Sequence, residues 1–180
     1  MGQPSPSPIQ HQHPGARGAR RLVTIGVYDW DVQSWSRALA DADVRVVWDV
    51  RQRRGVRGPR YAWANSLRLQ RTLAEAGIAY AHHKELAPTT ALRHLQYAED
   101  ARQGVGKRSR VVLAEEYRRR YTHEILDRVP IAPLLAQLPT GGACALLCVE
   151  RDPEACHRSL LAERIAGKGE SEVAIAHLRP

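Results

Sequence analysis

The segment Cys148-Val-Glu150-Arg-Asp-Pro-Glu-Ala-Cys156-His157-Arg158 gathers two thiols, carboxylates, an imidazole and two guanidiniums in one short stretch. A thiolate is a nucleophile and a soft metal ligand, and a neighbouring His or Glu moves protons. Pro153 can open a helix, and free amides at a helix start favour anions and lower a thiol pKa. Cys156, His157 and Glu150 are therefore candidate catalytic groups, and Arg158 is a candidate for holding an anionic substrate. Cys148, Cys156 and His157 are also candidate ligands for zinc or iron, with haem iron a further option. Their spacing matches no standard zinc pattern, and two core cysteines beside a capped helix is the plain alternative.

Other groups need a shared hollow to act with these. Asp49-Val50-Arg51 places a carboxylate and a guanidinium together, as a base with a ligand-orienting partner or as a local ion pair. The stretch from Arg51 to Arg60 also carries Arg53, Arg54, two glycines and a proline. Guanidiniums there offer paired donors to phosphate or carboxylate, and Tyr61 and Trp63 could stack a base. His82 and His83 are adjacent, so on a regular strand only one can face a given site; His82 is the candidate proton carrier. Tyr28 comes just after the first apolar run. Tyr117 and Tyr121 lie four apart on one helix face, for the core or for a ligand. We take Tyr28, Arg51, Arg53, Arg54, Arg60, Tyr121 and Arg158 as the ligand-binding set.

Charge supports an anionic partner. Lys and Arg total 27 against 19 acidic residues, a formal net charge of +8. Nearly all the basic residues are Arg, which coding bias alone would explain. Coding bias does not explain why positions 51–71 hold seven arginines and no acid. A second basic cluster runs through Lys107, Arg108, Arg110 and Arg118 to Arg120. A positive field concentrates phosphorylated ligands, whether nucleotide or nucleic acid.

The chain of 180 residues is long enough for one domain with its own core. No run approaches the roughly 18 apolar residues of a membrane helix, which excludes a helical membrane span. Three late cysteines do not form a secreted disulfide framework. The N-terminus has no apolar signal core, so a cytoplasmic location is the expectation. Residues 1–20, rich in Pro, Gln, Gly, Ser and His, read as a disordered tail, with His11 and His13 accidents of composition.

Residues 21–180 read as one α/β domain. Apolar runs at 22–27, 44–50, 78–82, 143–149 and 172–178 predict strands. Helices are predicted at 31–41 with Asp31 as cap, from Asn65 to Ala76, from Thr89 or Thr90 towards Arg102, from Ser109 to Val129 and from Pro153 to Ala166. Pro130, Pro133 and Pro139 should break the chain before the fourth strand. This alternation favours a three-layer domain, a mainly parallel sheet with helices on both faces. Functional groups then gather past the carboxyl ends of the strands.

Four stretches resemble the domain-of-unknown-function 488 family: Thr24-Ile-Gly26, Asp49-Val-Arg51, Gly77-Ile78-Ala-Tyr80, and Leu147-Cys148-Val-Glu150 continuing through Asp-Pro to Cys156-His157-Arg158-Ser159-Leu160. The resemblance spans about 22–178 and implies a compact α/β fold with its site at these motifs. It implies no particular reaction. The Arg-Gly loop at 51–60, Val27-Tyr28 where many members carry a His-Ser type pair, and the basic stretch 104–129 suggest a basic-loop subgroup. The expected function is binding of, or action on, a phosphorylated ligand at a basic Cys/His cleft. The alternatives are a thiol- or metal-dependent enzyme on a small anion, and a non-catalytic module that binds nucleic acid or protein; a homodimer is compatible with each.

Overall fold

The computed structural model describes residues 20–106, 108–167 and 173–180. The tail at 1–19, Lys107 and residues 168–172 lie outside the described residues. Five strands form one sheet: β1 (Arg20–Ile25), β2 (Val44–Asp49), β3 (Ala79–His82), β4 (Ala143–Leu147) and β5 (Val173–Leu178). Their order is β3-β2-β4-β1-β5, and every pairing is parallel.

The connections are helical: α1 (Val32–Asp41), α2 (Ser66–Glu75), α3 (Thr90–Arg102), α4 (Glu115–Tyr121), α5 (Ile131–Gln137) and α6 (His157–Ala166). Alternation along the strands splits the core in two. Val23, Ile25, Val47, Ala145 and Leu147 pack with Trp35 and Leu39 of α1 and Leu69 and Leu73 of α2. Leu22, Trp48, Cys144, Leu146 and Cys148 pack on the other face with side chains of α3 to α6. The three-layer α/β arrangement is thus as the alternating runs predict. Among the described residues, no helix is long and apolar enough to cross a membrane.

Local signals place several helix ends. Asp31 accepts from Ser34 N at 2.8 Å and Asp31 N donates to Ser34 Oγ at 3.4 Å, a reciprocal cap for α1. Thr89 Oγ1 accepts from Leu92 N and opens α3.

Elsewhere tertiary partners overrule the local reading. Asn65 stands at the cap position of α2, but its Oδ1 accepts from Val56 N and ties down the arginine loop instead. The helix expected from Ser109 starts only at Glu115. Leu113 N donates to Glu154 O and Ala114 N to Gln96 Oε1, so these amides are used outside a helix. Ser109 Oγ closes a turn with Gly106. The π-turn Thr122–Leu126 then continues α4. The proline segment holds α5, because Pro133 falls in its first turn, where an amide is not needed. The helix expected from Pro153 is interrupted. A single 3₁₀ turn, Pro153–Ala155, ends at Cys156, whose φ of −141° and ψ of 141° are extended, and α6 begins at His157.

Gly26 fixes how closely the β1 exit approaches the segment after β4. A Cβ there would lie 2.0 Å from the Glu150 carbonyl oxygen. Gly26→Ala should therefore cost about 2–3 kcal/mol in urea unfolding, as overpacking against backbone does. Gly141→Ala, with no atom within 4 Å of the new carbon, should stay within about 0.5 kcal/mol.

Candidate functional site

The connections from β2 and β4 leave on opposite faces: α2 packs against one half of the core and α6 against the other. The carboxyl ends of these two neighbours therefore splay open, the crevice that such sheets offer to ligands. Cys148 is the first residue beyond β4 and Val50 the first beyond β2. Strand parity turns Cys148 towards the face covered by α3 to α6.

The segment after β4 is held from below. Val27 N and Tyr28 N both donate to Val149 O at 3.0 Å. Arg158, fully buried, donates through Nη1 to Glu150 O at 2.6 Å and through Nη2 to Arg151 O at 2.8 Å. The extended Cys156 sets its sulfur beside Cys148, and His157 comes next, in the first turn of α6. His157 Nε2 donates to Val50 O at 3.0 Å. A carbonyl only accepts, so Nε2 carries the hydrogen and Nδ1 faces the sulfurs. Nδ1 lies 3.8 Å from Cys148 Sγ and 3.9 Å from Cys156 Sγ. Cys148 Sγ donates to Glu150 Oε2 at 3.6 Å.

Burial pushes both thiols up. For Cys148 that effect stands, reinforced by the Cys156 sulfur and the Glu150 carboxylate. For Cys156 it is outweighed by the interaction with the Cys148 sulfur and by the nearby Arg158 and His157 side chains, so its thiol falls well below the usual range. Burial lowers His157, but the Cys156 sulfur more than offsets this and the imidazole is raised. Tyr117 is pushed well above the usual phenol value by burial and stays neutral.

A cavity of about 510 Å³ opens above these groups, and Cys148, Cys156 and His157 lie in its wall. Its walls carry Arg51, Arg53, Arg57, Arg93, Arg108 and Arg110, against Glu150 as the carboxylate among the described lining residues. Arg110 is buried between Asp100 at 3.5 Å and Glu150 at 3.3 Å, and its Nε has no hydrogen-bond partner among the described residues. Arg93 is braced by Gln52 Oε1 and Tyr97 Oη, and Arg108 lies over the rings of Tyr28 and Tyr61.

Of the residues chosen from sequence, Tyr28, Arg51, Arg53, Cys148, Glu150, Cys156 and His157 come together at this cavity. Asp49, Arg54, Arg60, His82, Tyr121 and Arg158 are not part of its lining. Asp49 has the parity of Val47 and lies on the opposite side of the sheet. Its carboxylate accepts from Arg51 Nε at 2.8 Å, Arg51 Nη2 at 2.7 Å and Tyr80 Oη at 2.8 Å. Arg51 spends its guanidinium on that carboxylate and on Ala64 O. Arg54 reaches Tyr80 Oη, and exposed Arg60 pairs with Asp29. His82 Nε2 bonds Arg51 O, while the His83 ring meets Trp48 and Glu85, so neither histidine joins the cysteines. Tyr121 donates to Leu86 O and sets its ring edge-on to His157 from outside the cavity. Tyr61 is buried and Trp63 packs on Trp35, so neither offers the expected stacking platform.

The ligand-binding set chosen from sequence leaves out Arg57, Arg93, Arg108, Arg110, Tyr97 and Tyr117, all of which line the cavity, although the Tyr117–Tyr121 spacing pointed to a ligand or to the core. The acid-poor runs around 57 and 108–110 carried a signal for three of them; Arg93, in an ordinary helix, carried none. Asp49→Ala should destabilise the chain by about 3–5 kcal/mol in chemical denaturation, because it strands the buried Arg51 charge. Arg54→Ala should cost no more than about 1 kcal/mol, as the loss of one long hydrogen bond to the Tyr80 hydroxyl does. A loss below about 1 kcal/mol for Asp49→Ala would contradict this assignment of the pair.

No curated protein and no solved structure matches the chain. A family profile, described as domain of unknown function DUF488, matches residues 31–165. That span takes in β2 and β4, the arginine loop, Arg110 and the whole Cys148–Arg158 segment, so the match covers the residues that build the site apart from Tyr28. The chain therefore belongs to the DUF488 family of domains of unknown function.

Proposed function

We propose that this protein binds a phosphorylated small molecule of nucleotide size in the cleft between the ends of β2 and β4. The observation that carries this is the concentration of guanidiniums on one cavity: Arg53, Arg57, Arg93, Arg108 and Arg110, in addition to the internally paired Arg51. Guanidiniums match phosphate oxygens two at a time. The buried Arg110 with its unpartnered Nε is a donor awaiting an acceptor, since a buried polar group left unsatisfied is costly. A volume of about 510 Å³ suits a nucleotide-sized ligand. Tyr28, Tyr97 and Tyr117 add apolar surface for the rest of such a molecule. Thiol or metal chemistry on a small anion is the second reading, favoured by Cys148, Cys156 and His157 lying in the wall of the same cleft.

The test is calorimetric titration of the full chain with inorganic phosphate, AMP and adenosine. AMP and phosphate should bind, adenosine at least tenfold more weakly than AMP, and added salt should weaken AMP binding. Arg53→Ala with Arg57→Ala should weaken AMP about tenfold, or ~1.4 kcal/mol. Equal binding of AMP and adenosine, or no binding of AMP and phosphate at low salt, would overturn the proposal. A single-stranded oligonucleotide that binds without competition from AMP would replace it with a nucleic-acid-binding module.

A further inference from the structure

The ligand atoms of Cys148, Cys156 and His157 all lie within 4.8 Å of one another, and all three residues are buried. Zinc bonds of ~2.3 Å to sulfur and ~2.0–2.1 Å to nitrogen, at tetrahedral angles, require edges of about 3.6 Å between sulfur and nitrogen and about 3.8 Å between sulfurs. The observed sulfur–nitrogen separations are 3.8 and 3.9 Å. One ion would therefore fit with shifts of a few tenths of an ångström along those edges and a closing of the two sulfurs, which lie within 4.8 Å of each other, by at most about 1 Å.

Two further features favour a metal. Val50 O holds the Nε2 hydrogen of His157, which leaves the Nδ1 lone pair directed at the sulfurs. This is the backbone support that orients metal-bound imidazoles. Two soft sulfurs and one imidazole also form a donor set suited to zinc, whereas oxygen-only ligands suit magnesium or calcium.

We propose that Cys148, Cys156 and His157 bind one zinc ion whose fourth position faces the arginine-lined cleft. Two thiolates balance the charge of Zn²⁺, so the loaded cluster is close to neutral in its buried setting. The carboxylate of Glu150, which contacts Cys148 Sγ at 3.6 Å, shares the cavity wall with the three ligands. Three protein ligands and an open position are the pattern of zinc sites that act on a bound water or substrate. The ligand class at that position is an oxygen donor: water, or an oxygen of an anion held by the cleft. The metal assignment rests on the three donors alone and does not require the phosphate reading.

The experiment is metal analysis of the full chain purified under reducing conditions from zinc-supplemented cells. One zinc per chain is expected. Exchange with cobalt(II) should give sulfur-to-cobalt charge-transfer absorption and the intense visible bands of a tetrahedral ion. Cys156→Ser and His157→Ala should each lower zinc content at least tenfold, while Cys144→Ser, whose sulfur is outside the cluster, should retain it. Should those variants fail to fold, the wild-type cobalt spectrum still decides. Wild-type protein without zinc, together with a cobalt spectrum lacking sulfur charge transfer, would overturn the proposal. Zinc at full occupancy with no AMP binding would sustain the metal site and refute only the phosphate reading.

Discussion

The hydrogen bond from His157 Nε2 to the carbonyl oxygen of Val50 spans two segments far apart in the chain. One end belongs to the residue just past β2, the other to the first turn of α6. Because a carbonyl can only accept, the bond fixes where the ring hydrogen sits and hence which nitrogen meets the cysteines. It also draws the start of α6 over the gap between β2 and β4, and so sets Cys156 across from Cys148.

Burial divides the arginines into two groups. Arg158 and Arg51 are wholly internal, and both are spent on structure: Arg158 on the carbonyls of Glu150 and Arg151, Arg51 on Asp49 and Ala64 O. Arg158 holds the segment after β4 in place while its charge stands near Cys156. The arginines that remain for a ligand come from the loop after β2, from α3 and from the stretch before α4. Three separate pieces of chain thus bring positive charge to one hollow. Such a concentration raises the local field only because the low-dielectric walls limit screening.

The strands were readable because continuous apolar runs bounded by glycine, proline and polar residues have few other places to go in a chain of this size. Asp31 and Thr89 were readable as caps because their partners lie three residues away. Asn65 does stand at the start of α2, but its side chain does not cap it, and Ser109 and Pro153 do not open the continuous helices expected from them. For Asn65 and the stretch after Ser109, the side chain or the nearby amides are engaged in contacts that no local window contains. At Cys156 that difference matters most, since a continuous helix from Pro153 would have carried the sulfur on the helix body rather than at its mouth.

Of the candidate site, residue type and strand position were enough to select Cys148, Glu150, Cys156 and His157, because the residues next in the chain after a buried strand must emerge at the sheet's carboxyl edge. Parity already implied that His82 and His83 part company. Which face Asp49 takes, whether Arg158 meets a ligand or a carbonyl, and that Arg93 and Arg110 reach the cleft were decided only in three dimensions. A sequence specifies which groups exist and how they alternate. Whether a charge is free or spent depends on partners that distant segments bring to it, and that pairing exists only in the folded chain.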